Sequence, residues 1–298
     1  MSKLNEKLVI TSDGELPIIL SSPHGGNRLT FKSGQKTIKP ALRPAKQPKD
    51  YSTSYNITPD SGTNYLTQQI ANEIKHLTGL KPYQIKSQFN RKIVDANREL
   101  KEAIPYDSEI DTSWNKKIYQ VYHQTLSDMI KDVKKQFPGK PIWLFDIHGH
   151  DTDHPQTRVK QSPPEITILI GTAGGETLND ISLKKLKKQL FDPLKKRLSV
   201  WLPKFDLGFP EVKQKLSGGY IVRHYSTVPH VNAIQLEYGP KLRVNKTYRK
   251  IAGLATGEAI MTFLDTLDDD KTEHAWTTGK KSSLEKLLKR KDKKKRTV

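Results

Sequence analysis

The 298-residue chain has no cysteine. That excludes disulfides and thiolate metal ligands, and it leaves histidine, aspartate and glutamate as the side chains able to hold a metal ion. No apolar run approaches the roughly 20 residues needed to cross a bilayer. The opening stretch, Met1-Ser-Lys-Leu-Asn-Glu-Lys7, has no apolar signal region. A cytoplasmic protein without a membrane span is expected. Acidic residues are also scarce, with 32 Asp and Glu against 51 Lys and Arg, a formal charge of +19. Part of that excess is local: Lys280 to Val298 holds ten Lys or Arg against two acids, and so carries +8 of it. Residues 279–298 are therefore read as a flexible basic tail, either simply solvated or able to bind nucleic acid or another anionic surface. Residues 1–278 show no internal repeat and no break in composition, and they suffice for one substantial core.

Within that domain, three apolar runs end in the same way. Ile142 to Phe145 reads as a buried strand and runs into Asp146, His148 and His150. Leu16 to Leu20 runs into Ser21-Ser-Pro-His24-Gly-Gly26, and Val231 to Leu236 runs into Glu237. Ligands of open α/β sheets bind just beyond the carboxyl ends of the strands, so these residues stand where chemistry is done. A lone histidine after a strand is ordinarily a hydrogen-bonded structural residue. Two histidines and a glutamate at three such ends point instead to a zinc hydrolase: imidazole and carboxylate suit zinc, and a nearby glutamate can take a proton from attacking water.

The remaining segments complete the pattern. Arg28 to Tyr55 is a long, basic, aperiodic loop that could cover the site. Thr58 to Thr63 leads into a helix with Leu66, Ile70, Ile74 and Leu77 on one side; Asp60 there either caps the helix, as Thr58 could, or serves a metal. After a strand over Tyr83 to Phe89, Arg91 and the Asn97-Arg98 pair offer planar donors suited to a carboxylate, or form surface salt bridges. Trp114 to Phe137 is the clearest helix. Ile166 to Ile170 is another strand, and the glycine-rich Gly171 to Gly175 after it lacks the Lys-Ser/Thr ending of a phosphate loop, so it is read as a tight loop at the site. Leu183 to Leu198 marks a helix broken or restarted at Pro193. Ser217 to Tyr225 reads as a glycine-led strand carrying Arg223 towards the site, to grip an anionic substrate or balance a carboxylate. Strands alternating with helices give the fold class: a single-domain α/β fold with a mixed, mainly parallel sheet flanked by helices.

Taken together and in order, Ser21 to Gly26, the Asp60 segment, Arg91 to Arg98, Asp146 to His150, Gly218 to Arg223 and Gln235 to Glu237 resemble the N-formylglutamate amidohydrolase family. That family is similar in fold to the zinc carboxypeptidases, of the phosphorylase/zinc-carboxypeptidase-like kind. The resemblance implies a zinc-dependent amidohydrolase with one zinc ion, acting on a small carboxylate-bearing amide. His24 and His148 would be metal ligands and Glu237 the general base. Arg91 would polarise the scissile carbonyl, and Asn97 with Arg98 would hold a substrate carboxylate. Carboxypeptidases take a third ligand from a glutamate three residues after the first histidine, where this chain has Asn27. Asp60 is the candidate for that place, with His150 second. A carboxypeptidase or peptidoglycan-type amidase is the nearest alternative, and a nucleic-acid-binding protein on an inactive hydrolase scaffold is the alternative of another class.

Overall fold

The computed structural model describes residues 8–49, 55–105, 109–152, 164–210 and 216–267; the basic tail at 279–298 lies outside them. The fold is the expected single-domain α/β arrangement, a seven-stranded mixed sheet with helices on both faces. In chain order the strands are β1 (Val9–Ser12), β2 (Ile18–Ser22), β3 (Phe31–Ser33), β4 (Lys36–Ile38), β5 (Tyr83–Ser87), β6 (Ile142–Gly149), β7 (Thr167–Gly171), β8 (Asp206–Gly208) and β9 (Val231–Tyr238). The sheet order is β1-β5-β2-β6-β9-β7-β8, and β3 and β4 form a separate hairpin. The four central strands run parallel, β1 lies antiparallel to β5, and β7 lies antiparallel to β9. The helices are α1 (Thr63–Thr78), α2 (Leu100–Ala103), α3 (Ser113–Gln136), α4 (Leu183–Leu186), α5 (Asp192–Trp201), α6 (Tyr220–Tyr225), α7 (Pro240–Val244) and α8 (Lys246–Asp265). Among the described residues no helix is long and apolar enough to cross a membrane.

Successive strand side chains point to opposite faces, and this divides the core in two. Ile18, Leu20, Trp143, Phe145, Ile147, Ile234 and Leu236 pack against α1, α5 and α8. Ile19, Ile85, Ile142, Leu144, Val231 and Ala233 face the other way, against α3 and α6. The apolar stripe predicted for Trp114 to Phe137 is the buried side of α3.

Several elements differ from the sequence reading, each for a local reason. β6 and β9 run on to Gly149 and Tyr238 because their last residues alternate: polar Asp146 and His148 on one face, apolar Ile147 on the other. The aperiodic loop after His24 contains the β3–β4 hairpin, whose exposed lysines hide a pattern carried only by buried Phe31 and Ile38. Pro193 falls in the first turn of α5, where its missing N–H costs nothing, and a π-helical turn over Lys187–Phe191 joins α4 to α5. The strand predicted over Ser217 to Tyr225 is absent, and α6 begins within that stretch at Tyr220. Both neighbours of β9 are already occupied, by β6 and β7. The N–H groups of Gly219 and Ile221 go to the side chains of Gln235 and Asn97, and Ile221, Val222 and Tyr225 bury at helical spacing.

Candidate metal centre

The centre forms where the core facing α3 gives way to ionisable groups. On that face β6 passes from Ile142 and Leu144 to Asp146 and His148, β9 from Val231 and Ala233 to Gln235 and Glu237, and β2 from Ile19 to Ser21. The parallel register sets Ser21 beside Asp146, Asp146 beside Gln235, and His148 beside Glu237. Hydrophobic burial builds the near half of each strand and leaves the carboxyl ends for chemistry.

His24 follows β2 and Asp60 precedes α1, tied together by a main-chain bond from Asp60 N to His24 O of 3.0 Å. The Asp60 side chain does not cap α1: Gly62 is the N-cap, with φ +92° and the Arg243 carbonyl where a Cβ would stand. The Asp60 carboxylate turns inward instead. Its Oδ2 lies 3.3 Å from His24 Nδ1, 3.2 Å from His148 Nδ1, and accepts the Gly149 N–H at 3.0 Å. The far nitrogen of each imidazole is held by a second carboxylate, His24 Nε2 by Asp95 Oδ1 at 2.6 Å and His148 Nε2 by Asp146 Oδ2 at 2.7 Å. An N–H on each Nε2 leaves the Nδ1 lone pair facing the partner imidazole and Asp60. Asp146 is in turn fixed by Ser21 Oγ at 2.7 Å, which lies 2.8 Å from the Tyr122 hydroxyl.

The electrostatics favour positive charge here. The carboxylates of Asp60, Asp95, Asp146 and Glu237 are all buried, and beside them lie two buried guanidiniums, Arg43 and Arg91. Carboxylates thus outnumber the buried guanidiniums around the two imidazoles, an environment that favours a bound cation. Burial alone disfavours a charged His148, but Asp146, then Asp60 and Glu237, hold its pKa well above the ordinary histidine value. Burial also disfavours the Asp60 carboxylate, yet His148, His24 and Arg91 keep its pKa well below the usual range. Burial likewise opposes charge on Asp95, and Arg91 and His24 outweigh it. Glu237 goes the other way: burial lifts it to about 7, Asp60 adds to the rise, and His148 and Arg91 pull against it.

These shifts fix a sign for the metal-free protein. His148 has its pKa raised above the unfolded value, so its stabilisation is complete below about 6.5 and is lost as pH rises through the folded value. Glu237, raised from 4.5 to about 7, also binds its proton more tightly when folded, and it loses stability across that interval. Asp60 and Asp95 act oppositely, but only below their usual range near 3.8. The melting temperature of metal-free protein, followed by circular dichroism, is expected to fall by several degrees between pH 5 and pH 8. The scale is about 2–4 °C per kcal/mol for large domains. A flat or rising profile would contradict the assigned environment.

His24, Asp60 and His148 form the metal-competent group, each offering one donor atom within 4.8 Å of the others, and both Nδ1 atoms approach Asp60 Oδ2. Tetrahedral zinc with bonds of about 2.0–2.1 Å requires donor separations of about 3.3 Å, and the two distances to Asp60 are 3.3 and 3.2 Å. One further buried oxygen, Glu237 Oε2, has no hydrogen-bond partner, while its Oε1 accepts from Gln235 Nε2 at 2.5 Å. The donor set therefore fits a divalent metal, with a free carboxylate oxygen on the adjacent strand.

The sequence candidates separate clearly. His24, Asp60 and His148 come together, with Arg91 and Glu237 beside them. His150 does not join them: its Nε2 lies 3.1 Å from the Thr167 carbonyl and its Nδ1 3.3 Å from that of Asp151. Asn27 is exposed, in keeping with its being no ligand. Arg91 is buried against Asp95, with Nε and Nη2 both 2.9 Å from Oδ2 and Nη1 3.6 Å from Asp60 Oδ1. Asn97 is buried too, its Oδ1 accepting the Ile221 N–H at 2.8 Å and its Nδ2 3.3 Å from His148 Nε2. Arg98 stands half-buried at the rim. Arg223 is exposed, 3.5 Å from Glu176, because α6 turns it away from the centre. Sequence reasoning gave no role to Asp95, Arg43, Ser21 or Gln235. Asp95 sits four residues after Arg91, and Gln235 two before Glu237 on the same strand, both inside blocks already singled out; the partners of Ser21 and Arg43 are reached only across strands or loops.

The family model for N-formylglutamate amidohydrolase matches residues 106–242, in line with the resemblance carried by the motifs. The matched span includes His148 and Glu237, while His24, Asp60, Arg91 and Asp95 lie before it. No curated protein matches the chain by sequence. Among solved structures, the N-formylglutamate amidohydrolase of Ralstonia eutropha JMP134 superimposes with a TM-score of 0.55 at 14% identity, covering 86% of this chain and 98% of its own. A gene product from Agrobacterium tumefaciens does so with a TM-score of 0.54 at 16% identity, covering 90% and 99%. At these identities the likeness is one of fold.

Proposed function

We propose that this chain, similar to the N-formylglutamate amidohydrolases, is a zinc-dependent amidohydrolase cleaving the amide of an N-acyl, formyl-type amino acid or a related carboxylate-bearing substrate. The observation that carries the reading is the convergence of His24 Nδ1, His148 Nδ1 and Asp60 Oδ2, with both far imidazole nitrogens tied to carboxylates. These three residues would hold the ion. When bound, it supplies electrophilic polarisation of a carbonyl and acidification of water.

The rest is done by side chains of this chain. Gln235 holds Glu237 Oε1 and leaves Oε2 to take a proton. In the hydrolysis, water oxygen bonds to the acyl carbon, the carbon–nitrogen bond breaks, and Glu237 passes the proton from water to the leaving nitrogen. Arg91, buried and with its pKa raised by Asp95 and Asp60 against the effect of burial, stays charged and stabilises the developing oxyanion. Arg98, with Asn97 behind it, binds the substrate carboxylate at the rim.

The test is release of free amino acid from N-formylglutamate by metal-free protein, before and after one equivalent of zinc, with peptides of free and blocked carboxyl termini alongside. Zinc-dependent hydrolysis of the N-formyl substrate, with peptides left intact, is the expected result. Cleavage of free-carboxyl peptides alone would assign the site to a carboxypeptidase. No hydrolysis with zinc bound would reject the amidohydrolase reading.

A further inference from the structure

The basic loop after His24 is fastened to the centre. Beyond the β3–β4 hairpin, Ala41 is clasped by Asn115 of α3, which accepts its N–H at 3.2 Å and donates to its carbonyl at 2.8 Å and to that of Ile93 at 2.9 Å. Two residues on, Arg43 N donates to the Lys92 carbonyl at 2.7 Å, and the Arg43 side chain enters the interior, only 1% exposed.

The Arg43 guanidinium donates to three carbonyls, those of Asn56 at 2.9 Å, Arg91 at 3.2 Å and Glu102 at 3.3 Å. The Tyr55 ring covers it at 4.6 Å, and Nη1 stands 3.6 Å from Asp95 Oδ2. Arg91 and Glu102 bracket the segment that carries Arg91, Asp95, Asn97 and Arg98. One planar cation thus pins both ends of that segment and faces the carboxylate that holds His24 Nε2. Only a fork of fixed donors makes these contacts together; an ammonium on a flexible stem does not.

We propose that Arg43 is a positioning residue for the metal centre. It straps the loop across the Arg91 to Glu102 segment and holds Asp95 against His24, so that His24 Nδ1 keeps its aim at Asp60. The inference rests on the metal reading above. Groups that orient metal-binding histidines typically contribute about 10–100-fold in metal affinity.

The experiment is competition for zinc with a chromophoric chelator by full-length wild type, Arg43→Met and Arg43→Lys, with each metal-free melting temperature measured in parallel. Zinc binding about 10–100-fold weaker in both variants is expected. A purely structural role would lower the metal-free melting temperature and leave the zinc constant alone. Equal zinc constants in wild type and variants would overturn the proposal, and Arg43→Lys carries the comparison where Arg43→Met does not fold. Wild type that binds no zinc would fail the metal reading itself. The strap is then decided by a lysine-specific protease on the metal-free proteins: faster cutting at Lys46 or Lys49 in the variants supports it, and equal rates reject it.

Discussion

Replacing Glu237 by glutamine is expected to lower kcat by about 10²–10⁴-fold, the usual scale of a positioned general acid–base group, while zinc content is unchanged. The substitution keeps shape and volume. A glutamine carbonyl can still accept from Gln235 Nε2, as Oε1 does now. What it places at the position of Oε2 is an NH₂ group, which cannot take a proton from water. Stability should move in the opposite direction from activity. Burial and the neighbouring Asp60 lift the Glu237 carboxyl to about 7, so its ionised form is disfavoured where it stands. A neutral amide removes that cost, and the metal-free variant should melt at or above the wild-type temperature at pH 8. Steady-state kinetics, metal analysis and a melting curve on one preparation check all three. Full turnover in Glu237→Gln would remove this residue from the mechanism.

His148→Ala and His24→Ala are expected to abolish zinc binding and, with it, hydrolysis. Loss of the ion forfeits several kcal/mol of transition-state stabilisation, a thousandfold or more at about 1.4 kcal/mol per tenfold. Each histidine lies between two carboxylates, Asp60 and either Asp95 or Asp146. Truncation therefore also leaves buried charge without its partner, and breaking a buried pair in this way costs about 3–5 kcal/mol. The control is His150→Ala, which removes hydrogen bonds to main-chain carbonyls and no donor of the centre. It should retain the metal. Elemental analysis of the four proteins reads the result directly: metal retained in His24→Ala, or lost in His150→Ala, would redraw the ligand set.

Asp60 shows how far sequence reasoning reaches. Its place before a helix fits a cap and a metal ligand equally well, since both uses need a short carboxylate at the start of an amphipathic run. The choice was made by Gly62, whose left-handed backbone supplies the N-cap, and by the return of β6, which brings His148 and the Gly149 N–H to the same oxygen. Arg223 shows the opposite case. Its glycine-led apolar run reads as a strand, yet both sides of β9 are taken and the Gly219 and Ile221 N–H groups go to the side chains of Gln235 and Asn97.

What the sequence determined by itself is what local periodicity and residue chemistry carry. Apolar runs fixed the central strands, the long stripe of α3 fixed a helix, and the lack of cysteine confined metal ligands to His, Asp and Glu. The strand ends then named His24, His148 and Glu237. What only the tertiary structure decided is pairing across long separations: Asp95 with His24, Ser21 with Asp146, and Arg43 with Asp95, 71, 125 and 52 residues apart. No periodicity encodes such partners. Their choice depends on strand order, register and loop course, which are set by burial of the whole core.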